Sequence, residues 1–174
     1  LAAKLDILLH IHLSESEFEV QECKKKTGLY PVEYLDSLGF FEGNVIVAHG
    51  IYVADKEMEI LASKNVSVSI NTKSNLKLAS GFAPVKEYLK HGVNLCLGTD
   101  GVASNNNLSM FEEMRTTAGL HKTLNNDPTL LPAKKMVQLA TINGAKALNK
   151  ENTIGSLELG KKADLVFIET KDIS

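Results

Sequence analysis

Cysteine is scarce in this sequence: only Cys23 and Cys96 occur among 174 residues. Their spacing matches no metal-ligand pair, and Cys96 sits in an apolar, strand-like run. They read as free thiols of a reducing, cytoplasmic protein rather than as a disulfide. No run approaches the roughly 20 apolar residues of a membrane helix, and the opening lacks a signal-peptide pattern. Charge of one sign is lacking too. Nineteen basic residues face 21 acidic ones, a net of −2, which argues against a nucleic-acid or anionic-membrane partner. The Lys24-Lys25-Lys26 run reads as solvated helix surface. There is no internal repeat and no low-complexity linker. What remains is 44% apolar and 23% charged residues, the composition of a globular domain with a sizeable core.

The opening Leu1-Ala2-Ala3-Lys4-Leu5 reads as the end of a helix, and a strand-like run, 6–13 (DILLHIHL), follows at once. A domain seldom starts this way, so the chain is expected to be a fragment. The run is apolar enough to suggest a strand buried on both faces, as in a parallel sheet. Further strands are expected over 44–48, 66–70 and 94–98. Between and after them, helices are expected over 16–26, 31–38, 54–64, 84–91, 108–124 and 132–148. Ser16 and Glu19 stand at capping-box spacing, and Gly28, Gly39 and Gly92 stand at helix stops. Residues 71–81 read as a polar loop. Strand–helix alternation of this kind implies parallel strands joined by crossovers. The tail differs: 155–160 is turn-like and 163–168 (ADLVFI) is strand-like, as if entering a second, β-rich element.

The chemistry-bearing residues gather at the carboxyl ends of these strands. His12 ends the first, with Glu15 three residues on. His49 ends the second, Asn71, Ser74 and Asn75 follow the third, and Asp100 follows the fourth. In β/α barrels and open parallel sheets, ligands bind at these ends. Imidazole and carboxylate suit zinc or iron, and such an ion lowers the pKa of bound water to about 7. A neighbouring carboxylate can then relay protons. Taken singly, each residue has a plainer reading. His12 or His49 could be packed strand-end residues, Glu15 could cap the next helix, and Asp100 before Gly101 could be a turn residue. The joint placement singles them out. His10 shares a strand face with His12 and reads as structural, while His91 and His121 fall on helices.

Four segments in order carry a resemblance: 12–15 (HLSE), 48–50 (AHG), 74–78 (SNLKL) and 98–106 (GTDGVASNN). With 154–166 (IGSLELGKKADLV), they resemble the amidohydrolase superfamily, closest to its 5-methylthioadenosine/S-adenosylhomocysteine deaminases and chlorohydrolases. The resemblance implies an α/β fold, the C-terminal half of a TIM-like (β/α)8 barrel. Residues 1–150 would be four β/α units, and 151–174 would return to a small β-sandwich. It also implies one divalent metal, zinc or alternatively iron, with His12 and Asp100 as ligands. Glu15 would contact a purine ring and protonate its ring nitrogen, His49 would orient the attacking water, and Asp100 would take that water's proton. Glu15 and Asn75 are expected at the substrate. Water would then replace the ring's amino group, releasing ammonia.

The sequence departs from the family twice. The family's HxH pair on its first strand has no counterpart here, since His10-Ile11-His12 belongs to HLSE. Residues 69–72 read Ser-Ile-Asn-Thr where the family has Ser-His-Asn-Pro. With two direct ligands the metal site is expected to be half built, binding metal weakly or not at all. The expected partners are a small-molecule substrate, the missing N-terminal half of the barrel and, through open sheet edges, further copies of the chain. The alternatives are a chlorohydrolase or guanine-deaminase-like hydrolase, a non-catalytic assembly module, and an independent doubly wound domain.

Overall fold

Four strands form one parallel sheet in the computed structural model, which describes residues 2–169. They are β1 (Leu9–Leu13), β2 (Val45–His49), β3 (Ser67–Ile70) and β4 (Asn94–Leu97), hydrogen-bonded in that order. Sequence order equals spatial order. A doubly wound sheet reverses its order at a switch point; this one does not, which removes the doubly wound alternative. Leu13 pairs with His49, Ala48 with Ser69 and Ile70 with Leu97, so all four strands end along one rim.

The connections are α1 (Glu17–Thr27) and α2 (Pro31–Ser37), then α3 (Asp55–Ser63), then α4 (Thr72–Lys77) and α5 (Val85–Lys90). After β4 come α6 (Val102–Asn105), α7 (Met110–Leu124), α8 (Ala133–Ala140) and α9 (Ile142–Ala147). The Ser16 hydroxyl accepts the Glu19 amide proton at 3.2 Å to start α1, and Gly28 at φ 79° ends it. Pro31 opens α2, where its fixed φ and missing N–H cost nothing.

Side chains alternate across the sheet, and the two faces differ. Val45, Val47, Val68, Ile70, Leu95 and Leu97 point to one face and join the main core with Val32, Met58, Leu61, Tyr88 and Leu139. Burying each such side chain stabilises by roughly 1.5–3 kcal/mol. Glu57 lies inside this helical layer, where its carboxylate accepts the Val32 and Ala54 amides at 2.9 and 3.0 Å. On the other face Ile46 and Cys96 pack on Ala147 of α9, while His10 and His12 are exposed.

Several expectations are corrected. β1 is not buried on both faces; its burial alternates, because among the described residues no element covers His10 and His12. Residues 71–81 are not all loop, because α4 is a helix whose buried side chains, Thr72, Ser74 and Asn75, are polar. Hydrophobic periodicity cannot detect such a helix. The run 132–148 is two helices, broken at Thr141 (φ −128°, ψ −94°). The break turns α9 under β4, where Asn143 donates to the Leu95 carbonyl at 2.9 Å and accepts from Asn94 at 3.1 Å. Residues 163–168 form no strand and are exposed, since no described strand lies beside them to complete a ladder. Leu1 of the helix-like opening and residues 170–174 of the return segment lie outside the described residues.

Candidate active site

The rim is built from strained turns. Ser14, His49 and Asp100 all adopt positive φ, at 52°, 72° and 57°. For residues other than glycine this backbone costs of order 1–3 kcal/mol and persists only where surroundings impose it. Two glycines make room. At Gly98 a Cβ would lie 2.5 Å from Asn71 Oδ1 and 2.6 Å from Ser69 Oγ. At Gly50 it would lie 2.6 Å from the Tyr88 hydroxyl, which donates to the Gly50 carbonyl at 2.7 Å.

His12, His49 and Asp100 converge. One donor atom from each lies within 4.8 Å of the others, and the His12 and His49 rings are 5.3 Å apart. His10 stacks one pleat below His12 at 5.8 Å. Burial lowers the His10 pKa, and the neighbouring His12 and His49 lower it further.

His49 is buried, and its Nδ1 meets Asn75 Oδ1 at 2.8 Å. With that oxygen accepting, Nδ1 carries the proton and Nε2 faces the rim. There Nε2 lies 3.6 Å from Glu15 Oε2 and 3.9 Å from Asp100 Oδ2. Asn75, expected at the substrate, is thus placed behind His49 and is itself buried.

The Asp100 carboxylate is well supplied with donors. Ser74 and Ser104 hydroxyls donate to Oδ2 at 2.6 and 3.0 Å, and the Gly101 amide donates to Oδ1 at 2.8 Å. Burial pushes the carboxyl pKa up, but these hydrogen bonds and the nearby His49 outweigh it and hold Asp100 below the usual carboxylate range. Asp100 is therefore an anion at neutral pH.

Glu15 is set from two sides. Glu19 of α1 accepts the Ser14 and Glu15 amides at 2.7 and 2.9 Å, fixing the turn. The Ser80 hydroxyl donates to Glu15 Oε1 at 3.2 Å, leaving Oε2 toward His49.

Sequence reasoning placed His12, Glu15, His49 and Asp100 on one rim, and the structure brings them together. It missed the supports Glu19, Ser80 and Ser104. Asp100 and Ser104 stand four apart in a helix-opening motif, a spacing that could have suggested their contact. Glu19 showed its capping-box spacing, yet its carboxylate reaches one and two residues past Ser16. Ser80 left no local signal.

Three donors of imidazole and carboxylate type, on strand ends and open to one side, fit a zinc-class ion. The sequence suggested two ligands; the geometry adds a third donor atom in His49 Nε2.

Comparison with known proteins gives a consistent picture. The profile of the amidohydrolase family matches residues 1–173. A 5-methylthioadenosine/S-adenosylhomocysteine deaminase of Thermoanaerobacter pseudethanolicus is 50% identical over 169 residues, covering 97% of this chain and 39% of that protein. A 5'-deoxyadenosine deaminase of Methanosarcina acetivorans is 49% identical over 163 residues, covering 94% of this chain and 37% of that one. A zinc-bound adenosine deaminase from Xanthomonas campestris superposes with a TM-score of 0.95 at 42% identity, over 99% of this chain and 39% of that one. Zinc-bound atrazine chlorohydrolase TrzN from Arthrobacter aurescens superposes at 0.86 and 27% identity, over 93% and 36%. The chain thus spans about two-fifths of the length of these relatives.

Proposed function

The chain belongs to the amidohydrolase family, and from that premise we propose that it supplies half the rim of a metal-dependent deaminase. The substrate would be an adenine nucleoside derivative such as methylthioadenosine or S-adenosylhomocysteine. The remaining strands of the closed barrel would come from outside these 174 residues. The observation that carries the reading is the convergence of His12, His49 and Asp100 beside the Glu15 carboxylate. The roughly 50% identity to named deaminases supports the substrate class.

Zinc held by His12 and Asp100, with His49 Nε2 beside it, would polarise water and lower its pKa to about 7. The chain's own groups do the proton work. Asp100, kept anionic by Ser74, Ser104 and the Gly101 amide, accepts a proton from the attacking water at Oδ2. His49, with Nδ1–H committed to Asn75, presents the Nε2 lone pair and orients that water. Glu15, steadied by Ser80, delivers a proton from Oε2 to the ring nitrogen as the amino-bearing carbon becomes tetrahedral. The amino group then takes the proton held on Asp100 and leaves as ammonia, while the ring carbon keeps the oxygen as a carbonyl and the hydroxyl proton this releases returns to Glu15. The Glu15 and His49 atoms are close enough to share one water-sized space. Substrate contact falls to Glu15, and Asn75 acts through His49.

Weak metal binding by the isolated chain, self-association through the open edges of the sheet at β1 and β4, and a cytoplasmic setting for the two free thiols complete the proposal. The test is ammonia release from methylthioadenosine, S-adenosylhomocysteine and 5'-deoxyadenosine with added zinc, in a barrel completed by the N-terminal half of a deaminase relative. Asp100→Ala and His12→Ala should each lower turnover by at least a thousandfold. Chloride release from a chlorotriazine, or ammonia from guanine but from no adenine nucleoside, would replace this substrate class. A folded, zinc-loaded barrel with no hydrolysis of any of these would favour the assembly module.

A further inference from the structure

The mechanism leaves two buried carboxylates unused, Glu57 within the helical layer and Glu113 nearer the rim. Glu113, in the first turn of α7, is fully buried, and burial raises its pKa. Its Oε1 accepts from Asn105 Nδ2 at 2.6 Å, and the same Nδ2 donates to the Thr99 carbonyl at 2.6 Å. Its Oε2 accepts the Lys73 amide at 3.4 Å. One turn further along α7, the Thr117 hydroxyl meets that of Thr72 at 2.7 Å. Lys73 sits immediately before Ser74 and Asn75, and Thr99 immediately before Asp100.

We propose that Glu113 is a positioning residue that ties the turn carrying Asp100 to the helix carrying the partners of Asp100 and His49. One carboxylate grips the β4–α6 turn through Asn105 and grips the start of α4 through Lys73. Ser74 reaches Asp100 at 2.6 Å, and Asn75 reaches His49 at 2.8 Å, only while α4 keeps its place against that turn. Ordinary packing would not require a carboxylate here, since an ionisable group buried among helices costs stability unless its acceptors are used. Both of its oxygens are used, and both links lead to the rim. The inference rests on the reading of that rim as the active site.

The test uses the full chain and needs no activity. Amide hydrogen exchange is followed by NMR for Gly101, whose N–H bonds Asp100, and for Asn75, whose N–H bonds the Asn71 carbonyl at 3.0 Å. Leu139 of α8 serves as the remote reference. In Glu113→Gln and in Asn105→Ala, Gly101 and Asn75 should exchange at least tenfold faster while Leu139 stays within twofold. The Asn105 variant carries the test if the Glu113 variant fails to fold. Unchanged exchange at all three sites, or equal acceleration at all three, would overturn the proposal, since the latter marks only global stability. Zinc titration of the same proteins separates the two readings. If wild-type chain binds zinc and His12→Ala plus Asp100→Ala abolishes binding, the Glu113 and Asn105 variants should bind at least tenfold more weakly. If wild-type binding is insensitive to His12 and Asp100, the metal reading falls, and the exchange pattern still decides the role of Glu113.

Discussion

The two faces of the sheet are built on opposite rules. The helix-covered face is a run of Val, Ile and Leu, and its partners Leu61, Tyr88 and Leu139 are fully buried. The opposite face carries His10, His12, Ser67, Ser69, Asn94 and Cys96, and its apolar part is small: Ile46, Ala48, Leu8 and α9. The first face holds the fold together; the second spends stability on left-handed turns, exposed imidazoles and a carboxylate dressed with donors. Because neighbouring residues in a strand point to opposite faces, the same five-residue strand serves both purposes.

The largest expected effect tests that division directly. Leu61→Ala, in α3 against the covered face, should cost about 2–5 kcal/mol, whereas His10→Ala, on the open face, should stay within about 0.5 kcal/mol. Urea midpoints at unchanged slope measure both, and equal losses would mean the open face is structural.

Acid should act on the covered side as well. Burial lowers the His121 pKa from 6.5 to about 4, with nearby Glu87 opposing in part. A depressed folded pKa means the unfolded chain binds the proton first. Stability from this group is therefore complete above pH 6.5 and is lost as pH falls toward 4, by at most about 3 kcal/mol. Glu57 and Glu113 act with the opposite sign, since burial raises their pKa and protonation relieves them as pH falls. His121→Gln should hence lose less stability than the parent between pH 6.5 and 4; identical pH profiles would refute the buried neutral imidazole.

Gly98→Ala probes the seam between the faces. The added methyl meets Asn71 and Ser69 and should cost about 1–3 kcal/mol, with Ser69→Ala plus Asn71→Ala in the same chain recovering part of it. The smallest effect is chemical. Burial pushes the Cys96 thiol up to about 11, so an alkylating reagent near pH 8 should label half-buried Cys23 and spare Cys96 in the native chain. Equal labelling would show that the open face breathes.

Much of the architecture was legible locally. Each strand lies within about three residues of its expected place, because apolar runs of strand length bounded by glycine and polar residues have few other uses. The rim residues were legible because strand ends in a parallel sheet share one edge. The misses have a common cause. α4 was unreadable because its buried face is polar. The break at Thr141 was unreadable because no glycine or proline marks it, and the Asn143 contact with Leu95 that accompanies it spans 48 residues. Residues 163–168 have strand composition without a strand to pair with among the described residues.

The sequence by itself determined where the four strands of the sheet run, which residues stand at their ends, and that imidazole and carboxylate would meet there. Tertiary structure alone decided that Asn75 backs His49, that Ser74 and Ser104 donate to Asp100, and that Glu19 and Ser80 bond the turn carrying Glu15. Strand periodicity is a short-range property written in neighbouring residues. A hydrogen bond between side chains 26 positions apart, such as His49 to Asn75 or Ser74 to Asp100, exists only once packing has brought its two ends together.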